Sequence, residues 1–115
     1  MTTIYGIANC DTVKKARVWF AEAGIAAEFH DYKKLGVPTA SLGQWVDRAG
    51  WEKLLNRSGA TFRKLPDEVK AGLDRDRAVA LMLAHPSAIR RPVVVDGDVL
   101  EVGFDPVRYT ALFGR

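Results

Sequence analysis

The feature that most constrains the fold is a strand–helix–strand pattern within the first 32 residues. Residues 3–7 are β-branched and aromatic, which predicts a strand, and residues 27–32 alternate in polarity like a second strand. Between them, apolar side chains recur at helical spacing from Val13 to Ala23, and Gly24 stands where such a helix would end. Two strands joined in this way are expected to be parallel, with a right-handed crossover. The pattern therefore predicts an α/β protein that begins with a βαβ unit.

The rest of the chain predicts a block of helices, then a hairpin and a last helix. Residues 39–85 carry apolar stripes at helical spacing. Residues 92–95 and 99–102 are rich in valine and flank an Asp-Gly-Asp turn, which favours a hairpin. Asp105 and Pro106 are typical of the start of a helix. The predicted order is β-α-β, a helical block, and β-β-α.

Length and composition exclude several classes of protein. The 115 residues, of which 48% are hydrophobic, are enough for one domain with its own core. The single cysteine cannot form an internal disulfide, and His30 and His85 stand apart, so we expect no disulfide and no metal site. The N-terminus lacks the pattern of a signal peptide, and no run approaches the ~20 apolar residues of a membrane span. We therefore expect a single cytoplasmic domain over residues 1–115, without membrane association.

The charge of the chain argues against nucleic acid as a partner. The formal net charge is +3, and basic and acidic residues are interleaved along most of the sequence. A nucleic-acid-binding protein more often carries a basic stripe with exposed aromatic side chains. The mild basic excess favours a small anionic ligand instead.

Cys10 lies where the first predicted strand ends and the first helix begins. There, the unpaired N–H groups of the first turn and the helix dipole favour a thiolate. Lys14 adds positive potential, whereas the carboxylate of Asp11 opposes ionisation, and Thr12 can cap the helix. Position alone leaves two hypotheses open, a reactive thiol or a small buried apolar side chain. Because residue 13 is valine, there is no Cys-x-x-Cys pair, and a redox cycle would need a second thiol from another molecule.

Two basic segments are candidates for binding an anion. Arg90 and Arg91 precede Pro92 at the head of a predicted strand, where a proline is either a rigid edge residue or follows a cis bond. The two arginines form either a solvated loop or a bidentate anion site. Lys53 and Arg57 lie at the end of a short predicted helix, where cations also favour the helix dipole. The residues alone do not decide between these alternatives.

Three segments together resemble the arsenate reductase-like (ArsC/Spx) family. They are residues 4–17, 50–57 and 85–94, and their similarity extends in order along the whole chain. The run Asn-Cys-Asp-Thr-Val-Lys-Lys-Ala-Arg and the later Val-Gly-Phe at residues 102–104 are similar to the YffB branch of that family. The resemblance implies a thioredoxin-like fold with a four-stranded mixed sheet and a helical insertion over about residues 39–85.

The resemblance also implies roles for individual residues. Cys10 matches the catalytic nucleophile, and Arg91 matches an arginine that precedes a cis proline, here Pro92. Arg57 approximates the arginine of the inserted helices, to within one residue. Together with Lys14, these residues would bind glutathione or another anionic substrate. Glutathione is the implied co-substrate and glutaredoxin an implied partner, no metal is implied, and we expect a monomer.

The chain departs from the glutathione-linked arsenate reductases of this family at three positions. Their histidine four residues before the cysteine is Gly6 here, their third arginine lies near Gly103, and Lys14 replaces an arginine. We therefore expect feeble arsenate reduction, since lysine lacks the bidentate fork of arginine. The Cys-x-x-Cys of many Spx regulators, which bind RNA polymerase, is also absent. Two hypotheses follow: a glutathione-dependent thiol reductase, and a non-catalytic Spx-like adaptor that binds a protein such as RNA polymerase.

Overall fold

The strands form a four-stranded mixed sheet in the computed structural model, which describes residues 1–114. They are β1 (Thr2–Gly6), β2 (Ala27–Asp31), β3 (Val93–Asp96) and β4 (Val99–Val102). The order across the sheet is β2-β1-β3-β4, in which β1 and β2 are parallel and β3 is antiparallel to both β1 and β4. The predicted α/β class, the parallel strand pair and the hairpin are confirmed.

The helices fall between the strands in the order that the sequence predicts. One helix connects the parallel strands, several lie between β2 and β3, and the last follows β4. Within residues 1–114, every helix is too short or too polar to cross a membrane. The described helices are α1 (Asp11–Glu22), α2 (Tyr32–Leu35), α3 (Thr39–Ala49), α4 (Trp51–Leu54), α5 (Ala60–Arg63), α6 (Asp67–Lys70), α7 (Arg75–Ala84) and α8 (Pro106–Phe113), with a 3₁₀ helix at Pro86–Ala88.

The chain divides into two compact units. The first contains the sheet and consists of Met1–Gly36 together with the segment that begins at Arg91; the second is Val37–Arg90. The second unit contains α3 to α7, so it corresponds closely to the helical block expected at residues 39–85. The expectation of one domain over residues 1–115 stays a prediction.

Apolar side chains on the two longest helices form much of the core of the second unit. Leu42 and Trp45 of α3 and Met82 of α7 are at most 3% exposed. At the start of α7, the carboxylate of Asp74 accepts a hydrogen bond from the Arg77 N–H at 2.9 Å, which caps the helix. The helical pattern of this region therefore reflects burial of one face of each long helix.

The core of the first unit is dominated by aromatic side chains. Phe20 of α1 and Tyr109 and Phe113 of α8 are at most 5% exposed and cluster with Ile4 and Val94 of the sheet. The ring centroid of Phe20 lies 5.6 Å from that of Tyr109 and 5.2 Å from that of Phe113, within the range of favourable aromatic pairs. We call the following residues the aromatic cluster: Trp19, Phe20, Phe104, Tyr109 and Phe113.

Two local predictions were wrong. Tyr32 is the first residue of α2 instead of the last residue of a strand, because the Asp31 carboxylate accepts a hydrogen bond from the Lys33 N–H at 2.9 Å and starts a helix. Thr12 does not cap α1 but lies inside it, since Cys10 is the residue at the N-cap position. As a result, two residues of the candidate site stand at helix starts, Cys10 at the N-cap of α1 and Tyr32 as the first residue of α2.

Candidate active site at Cys10

The register of the sheet brings three chain segments to one edge. Gly6, the last residue of β1, pairs with Asp31, the last residue of β2, so the parallel strands end side by side. On the other side of β1, Tyr5 pairs with Val93, the first residue of the antiparallel β3. The loop after β1, the start of α2 and the residues before β3 therefore lie at the same edge. We call it the Cys10 edge; its members are Cys10, Tyr32, Arg91 and Pro92.

Cys10 is the N-cap residue of α1. Its backbone is extended, with φ −134° and ψ 123°, and its carbonyl accepts the first helical hydrogen bond from the Lys14 N–H at 2.9 Å. The thiol is half-buried and makes no regular side-chain capping bond. The N–H groups of Thr12 and Val13 instead act on the charged form of the sulfur. The cysteine thus occupies the helix start that the sequence predicts.

The surroundings of Cys10 favour the thiolate. Burial opposes ionisation and by itself raises the pKa of the thiol, but nearby donors outweigh it. The Val13 N–H has the largest lowering effect, followed by the Arg91 guanidinium, through hydrogen bonding and charge, and by the Thr12 N–H. The pKa of Cys10 therefore lies below its ordinary value of 9.0. The positive charge that acts on the thiol is that of Arg91, whereas the effect predicted for Lys14 stays a prediction.

Gly6 allows α1 to lie close to the sheet. A Cβ atom on Gly6 would lie 2.8 Å from Cγ2 of Val13, closer than two such carbon atoms approach. Val13 is fully buried there, and its N–H is the strongest donor to the sulfur of Cys10. A histidine at this position, four residues before the cysteine, would therefore force the side chain of Val13 to shift.

Arg91 and Pro92 form a corner before β3. The Arg91–Pro92 peptide bond is cis, which confirms the prediction made from the family resemblance. The Pro92 carbonyl accepts a hydrogen bond from the Gly103 N–H at 2.8 Å, and the Gly103 carbonyl accepts one from the Tyr109 hydroxyl at 2.7 Å. Gly103 has a φ of +88°, a conformation that favours glycine. Gly103 therefore holds the corner through its backbone, at the position near which the family named in the sequence analysis carries its third arginine.

Tyr32 is a site residue that sequence patterns do not reveal. Its side chain is 4% exposed, and within residues 1–114 its hydroxyl has no hydrogen-bond partner. The positive charge of Arg91 acts on this hydroxyl as well as on the thiol of Cys10. The signal that could have found it is the parallel pairing, because a residue directly after β2 lies beside the loop that follows β1.

Lys14 and Arg57, the other two predicted ligand-binding residues, are both exposed. Lys14 lines a groove of about 730 Å³ between α1 and β2, and neither Cys10 nor Arg91 lines that groove. Arg57 belongs to the second unit, beyond the end of α4, with its guanidinium 5.6 Å from the ring centroid of Trp51. The structure brings Arg91 together with Cys10, while the roles of Lys14 and Arg57 stay predictions.

The chemistry available at the Cys10 edge is that of a thiol beside a cation. In the described part of the chain, no three side chains of His, Cys, Asp or Glu come together as metal ligands. A thiolate can attack an electrophilic sulfur atom, and an adjacent guanidinium can bind an anionic group of the same molecule. The edge is therefore equipped for nucleophilic attack on an anionic substrate.

Known proteins match the chain over nearly its full length. The model of the ArsC family matches residues 5–112. Among solved structures, the YffB (PA3664) protein is 49% identical, with a TM-score of 0.94 and coverage of 96% of this chain and 97% of that one. An arsenate reductase (ArsC) related protein from Brucella melitensis is 51% identical, with a TM-score of 0.77 and coverage of 97% and 93%.

Two sequence relatives extend the comparison. An uncharacterized protein of Haemophilus influenzae is 38% identical over 113 residues, which cover 98% of this chain and 99% of that protein. The global transcriptional regulator Spx of Streptococcus agalactiae is 26% identical over 117 residues, with coverage of 100% and 85%. The fold, the three motifs and these matches agree: the chain belongs to the ArsC family and has the thioredoxin-like fold of its arsenate reductase-like members.

Proposed function

We propose that the protein is a glutathione-dependent thiol reductase whose nucleophile is Cys10. The observation that carries this proposal is the lowered pKa of a half-buried thiol at the start of α1, beside the guanidinium of Arg91. A thiolate is the reactive form of cysteine in exchange with disulfides. Membership of the ArsC family supports the redox role.

The proposed reaction consists of two thiol–disulfide exchanges. The Cys10 thiolate attacks the glutathione sulfur of a mixed disulfide between glutathione and a substrate thiol. The substrate leaves as a thiolate, and Cys10 keeps the glutathione in a new disulfide. The thiolate of a second glutathione then attacks that glutathione sulfur, which releases glutathione disulfide and regenerates the Cys10 thiolate. Glutathione is the resolving thiol because Cys10 is the only cysteine in the sequence.

Glutathione would be bound through its two carboxylates. Arg91, which acts on the thiol of Cys10, is proposed to bind one of them beside the sulfur. Pro92 is proposed to line the site, and Lys14 and Arg57 are the candidates for the other carboxylate. We propose that the protein works as a monomer in the cytoplasm, where the glutathione pool is reduced, and that glutaredoxin is an alternative acceptor of the glutathionyl group. No step of this reaction requires a metal.

Arsenate is a poor candidate substrate for the same site. It is compact and doubly charged, and it requires several donors that converge on one point. The backbone of Gly103 holds the corner at Pro92, and glycine offers no side-chain charge to replace the third arginine. Loss of one charge-assisted hydrogen bond corresponds to about 10- to 100-fold in rate or affinity. We expect arsenate turnover with glutathione and glutaredoxin to be feeble.

Mass spectrometry of the intact protein after incubation with glutathione disulfide tests the nucleophile. We expect one glutathionyl adduct at Cys10, its removal by reduced glutathione, and no adduct in Cys10→Ser. Turnover is then measured with a glutathionylated model disulfide, with reduction of the released glutathione disulfide as the readout. If no adduct forms on the folded wild-type protein, the reductase proposal is wrong.

Two neighbouring arginines provide a matched pair of variants for the same assay. Arg91 acts on the thiol, whereas Nε of Arg90 donates a hydrogen bond to the Lys53 carbonyl at 3.1 Å, within the second unit. Arg91→Met is expected to raise the pKa of Cys10 and to lower kcat/KM about 10- to 100-fold. Arg90→Met should leave both nearly unchanged. Equal effects of the two variants would contradict the role proposed for Arg91.

The match to Spx over the whole chain supports a second candidate function, a non-catalytic adaptor that binds a protein such as RNA polymerase. The two functions make opposite predictions for Cys10→Ser. A partner that is captured equally well by the wild type and by this variant, together with absence of a glutathione adduct, would support the adaptor.

A further inference from the structure

Tyr32 is the member of the Cys10 edge for which neither the fold nor the proposed reaction supplies a role. It directly follows β2 and begins α2, a helix of only four residues. Its ring lies 6.1 Å from that of His30, as measured between centroids. The ring thus contributes to packing, but the position of the hydroxyl needs another explanation.

The hydroxyl of Tyr32 is buried without a partner. The side chain is 4% exposed, and no hydrogen bond to Oη is found within residues 1–114. A buried polar group without a partner is destabilising by about 1–3 kcal/mol, and most buried polar groups in proteins are paired. A phenylalanine would fill the same space without this cost. The hydroxyl is therefore expected to have a partner that residues 1–114 do not provide.

The charges around Tyr32 indicate the chemistry of that partner. Burial raises the pKa of the Tyr32 phenol, and the nearby Tyr5 raises it further, while Arg91 lowers it to a smaller extent. The hydroxyl therefore stays protonated near neutral pH and is available as a hydrogen-bond donor. Arg91 acts on Tyr32 and on Cys10 alike, so one cation lies near both the thiol and the hydroxyl. A donor next to a guanidinium is suited to an anionic oxygen atom.

We propose that the Tyr32 hydroxyl donates a hydrogen bond to an anionic oxygen of the substrate that Arg91 binds beside the sulfur of Cys10. Tyr32 is then a specificity-determining residue, which selects electrophiles that carry a carboxylate or a similar oxyanion near the atom under attack. Neutral electrophiles do not use it. The inference deepens the proposed function, on whose nucleophile, Cys10, it rests, but it does not depend on glutathione as the substrate.

Two alkylating reagents of similar size, one with a carboxylate and one with a neutral amide, test this role when their rates are compared between variants. Iodoacetate and iodoacetamide react with a thiolate at the same carbon atom, form a carbon–sulfur bond and release iodide. Iodoacetate carries a carboxylate next to that carbon, whereas iodoacetamide carries a neutral amide. The ratio of their second-order rate constants with Cys10, measured where the thiol is fully ionised, reports binding of the anionic group alone.

We expect Tyr32→Phe to lower the iodoacetate-to-iodoacetamide ratio about 10-fold, the lower end of the scale for a hydrogen bond to a charged group. The iodoacetamide rate and its pH midpoint should stay unchanged. Arg91→Met should lower the ratio at least as much and also raise the midpoint. Arg90→Met removes a guanidinium that bonds the Lys53 carbonyl within the second unit and should leave the ratio unchanged.

An unchanged ratio in Tyr32→Phe would overturn the proposal. So would an equal fall of both rates or a shifted pH midpoint, because Tyr32 would then act through Arg91 or through the structure of the site. The unfolding midpoint of Tyr32→Phe shows whether the variant is folded. If Cys10 forms no glutathione adduct but the ratio falls as expected, the reductase proposal fails while the specificity proposal stands. If the adduct forms and the ratio does not change, the reverse holds.

Discussion

The aromatic cluster and the Cys10 edge belong to the same compact unit, and each contains a buried tyrosine. In the aromatic cluster, the Tyr109 hydroxyl donates a hydrogen bond to the Gly103 carbonyl at 2.7 Å. At the Cys10 edge, the Tyr32 hydroxyl has no partner within residues 1–114. Burial raises the pKa of both phenols. A tyrosine hydroxyl thus makes a structural hydrogen bond in one region, whereas in the other it is a donor without a partner among residues 1–114.

The two regions also differ in how the ring of their tyrosine is packed. The Tyr109 ring has four aromatic neighbours in the aromatic cluster, with centroid distances of 5.0 to 5.6 Å. The ring centroid of Tyr32 lies 6.1 Å from that of His30, and the ring centroid of His30 lies 5.0 Å from that of Tyr5. A densely packed set of rings stabilises the fold, whereas a buried donor beside a cation, without a partner in residues 1–114, can bind a ligand. Stability and function are therefore expected to respond to substitutions in different regions.

The largest effect is expected from Phe20→Ala in the aromatic cluster. Phe20 is 1% exposed and contacts the rings of Tyr109 and Phe113, so its truncation removes apolar contacts and leaves a cavity. The free energy of unfolding should fall by about 3–5 kcal/mol, as measured by denaturant titration. Phe20→Leu keeps most of the volume and should cost clearly less. A loss below about 1 kcal/mol for Phe20→Ala would show that this cluster does not dominate stability.

A smaller and more discriminating effect is expected from the two tyrosines. Tyr109→Phe leaves the Gly103 carbonyl without its donor and should lower the free energy of unfolding by about 1–2 kcal/mol. Tyr32→Phe removes a hydroxyl that has no partner within residues 1–114 and should leave this free energy unchanged or slightly higher. Both variants are compared with the wild type in one denaturant series. If Tyr32→Phe lowered the free energy of unfolding more than Tyr109→Phe, the difference drawn here between the two regions would be wrong.

The smallest effect is expected in the pH dependence of stability. The pKa of Cys10 in the folded state lies below 9.0, because Val13, Arg91 and Thr12 outweigh the opposing effect of burial. Between that folded pKa and 9.0 the unfolded chain binds more protons, so stability rises with pH in this window. The gain is fully present above 9.0 and is lost as pH falls through the folded pKa.

Denaturant titrations of the wild type and of Cys10→Ser at several pH values measure this gain, because the serine variant lacks the titrating group. Ultraviolet absorbance of the thiolate gives the folded pKa directly. A stability difference that is independent of pH between neutrality and 9.0, or a thiolate midpoint at or above 9.0, contradicts activation of Cys10.

Much of the fold could be predicted because its signals are local. The β-branched run at the N-terminus, the helical spacing that follows and the Asp-Gly-Asp turn each predict their element, and β1, α1 and the β3–β4 hairpin are found accordingly. The errors at Thr12 and Tyr32 both lie at helix starts. At Tyr32, the Asp31 carboxylate accepts a hydrogen bond from the Lys33 N–H and so sets the boundary. At Thr12, α1 already begins at Asp11, with Cys10 at the N-cap position and without a side-chain capping bond.

The candidate site could be predicted in part. Cys10 stands at a junction that the sequence shows directly, and Arg91 was named through the family resemblance. No local pattern marks Tyr32, and only the parallel pairing of β1 with β2 places the residue after β2 beside the loop after β1. Gly6 likewise shows its role only through the distance of 2.8 Å that a Cβ atom would have to Val13.

The sequence by itself determined the order of strands and helices, the single thiol and its place before a helix. These properties depend on residue spacing and on hydrogen bonding within a few positions of the chain. Only the tertiary structure decided that Arg91 stabilises the thiolate of Cys10 and that the Tyr32 hydroxyl lies buried without a partner in the described part of the chain. The physical reason is the register of the sheet, which pairs Gly6 with Asp31 and Tyr5 with Val93 and so joins segments far apart in the chain.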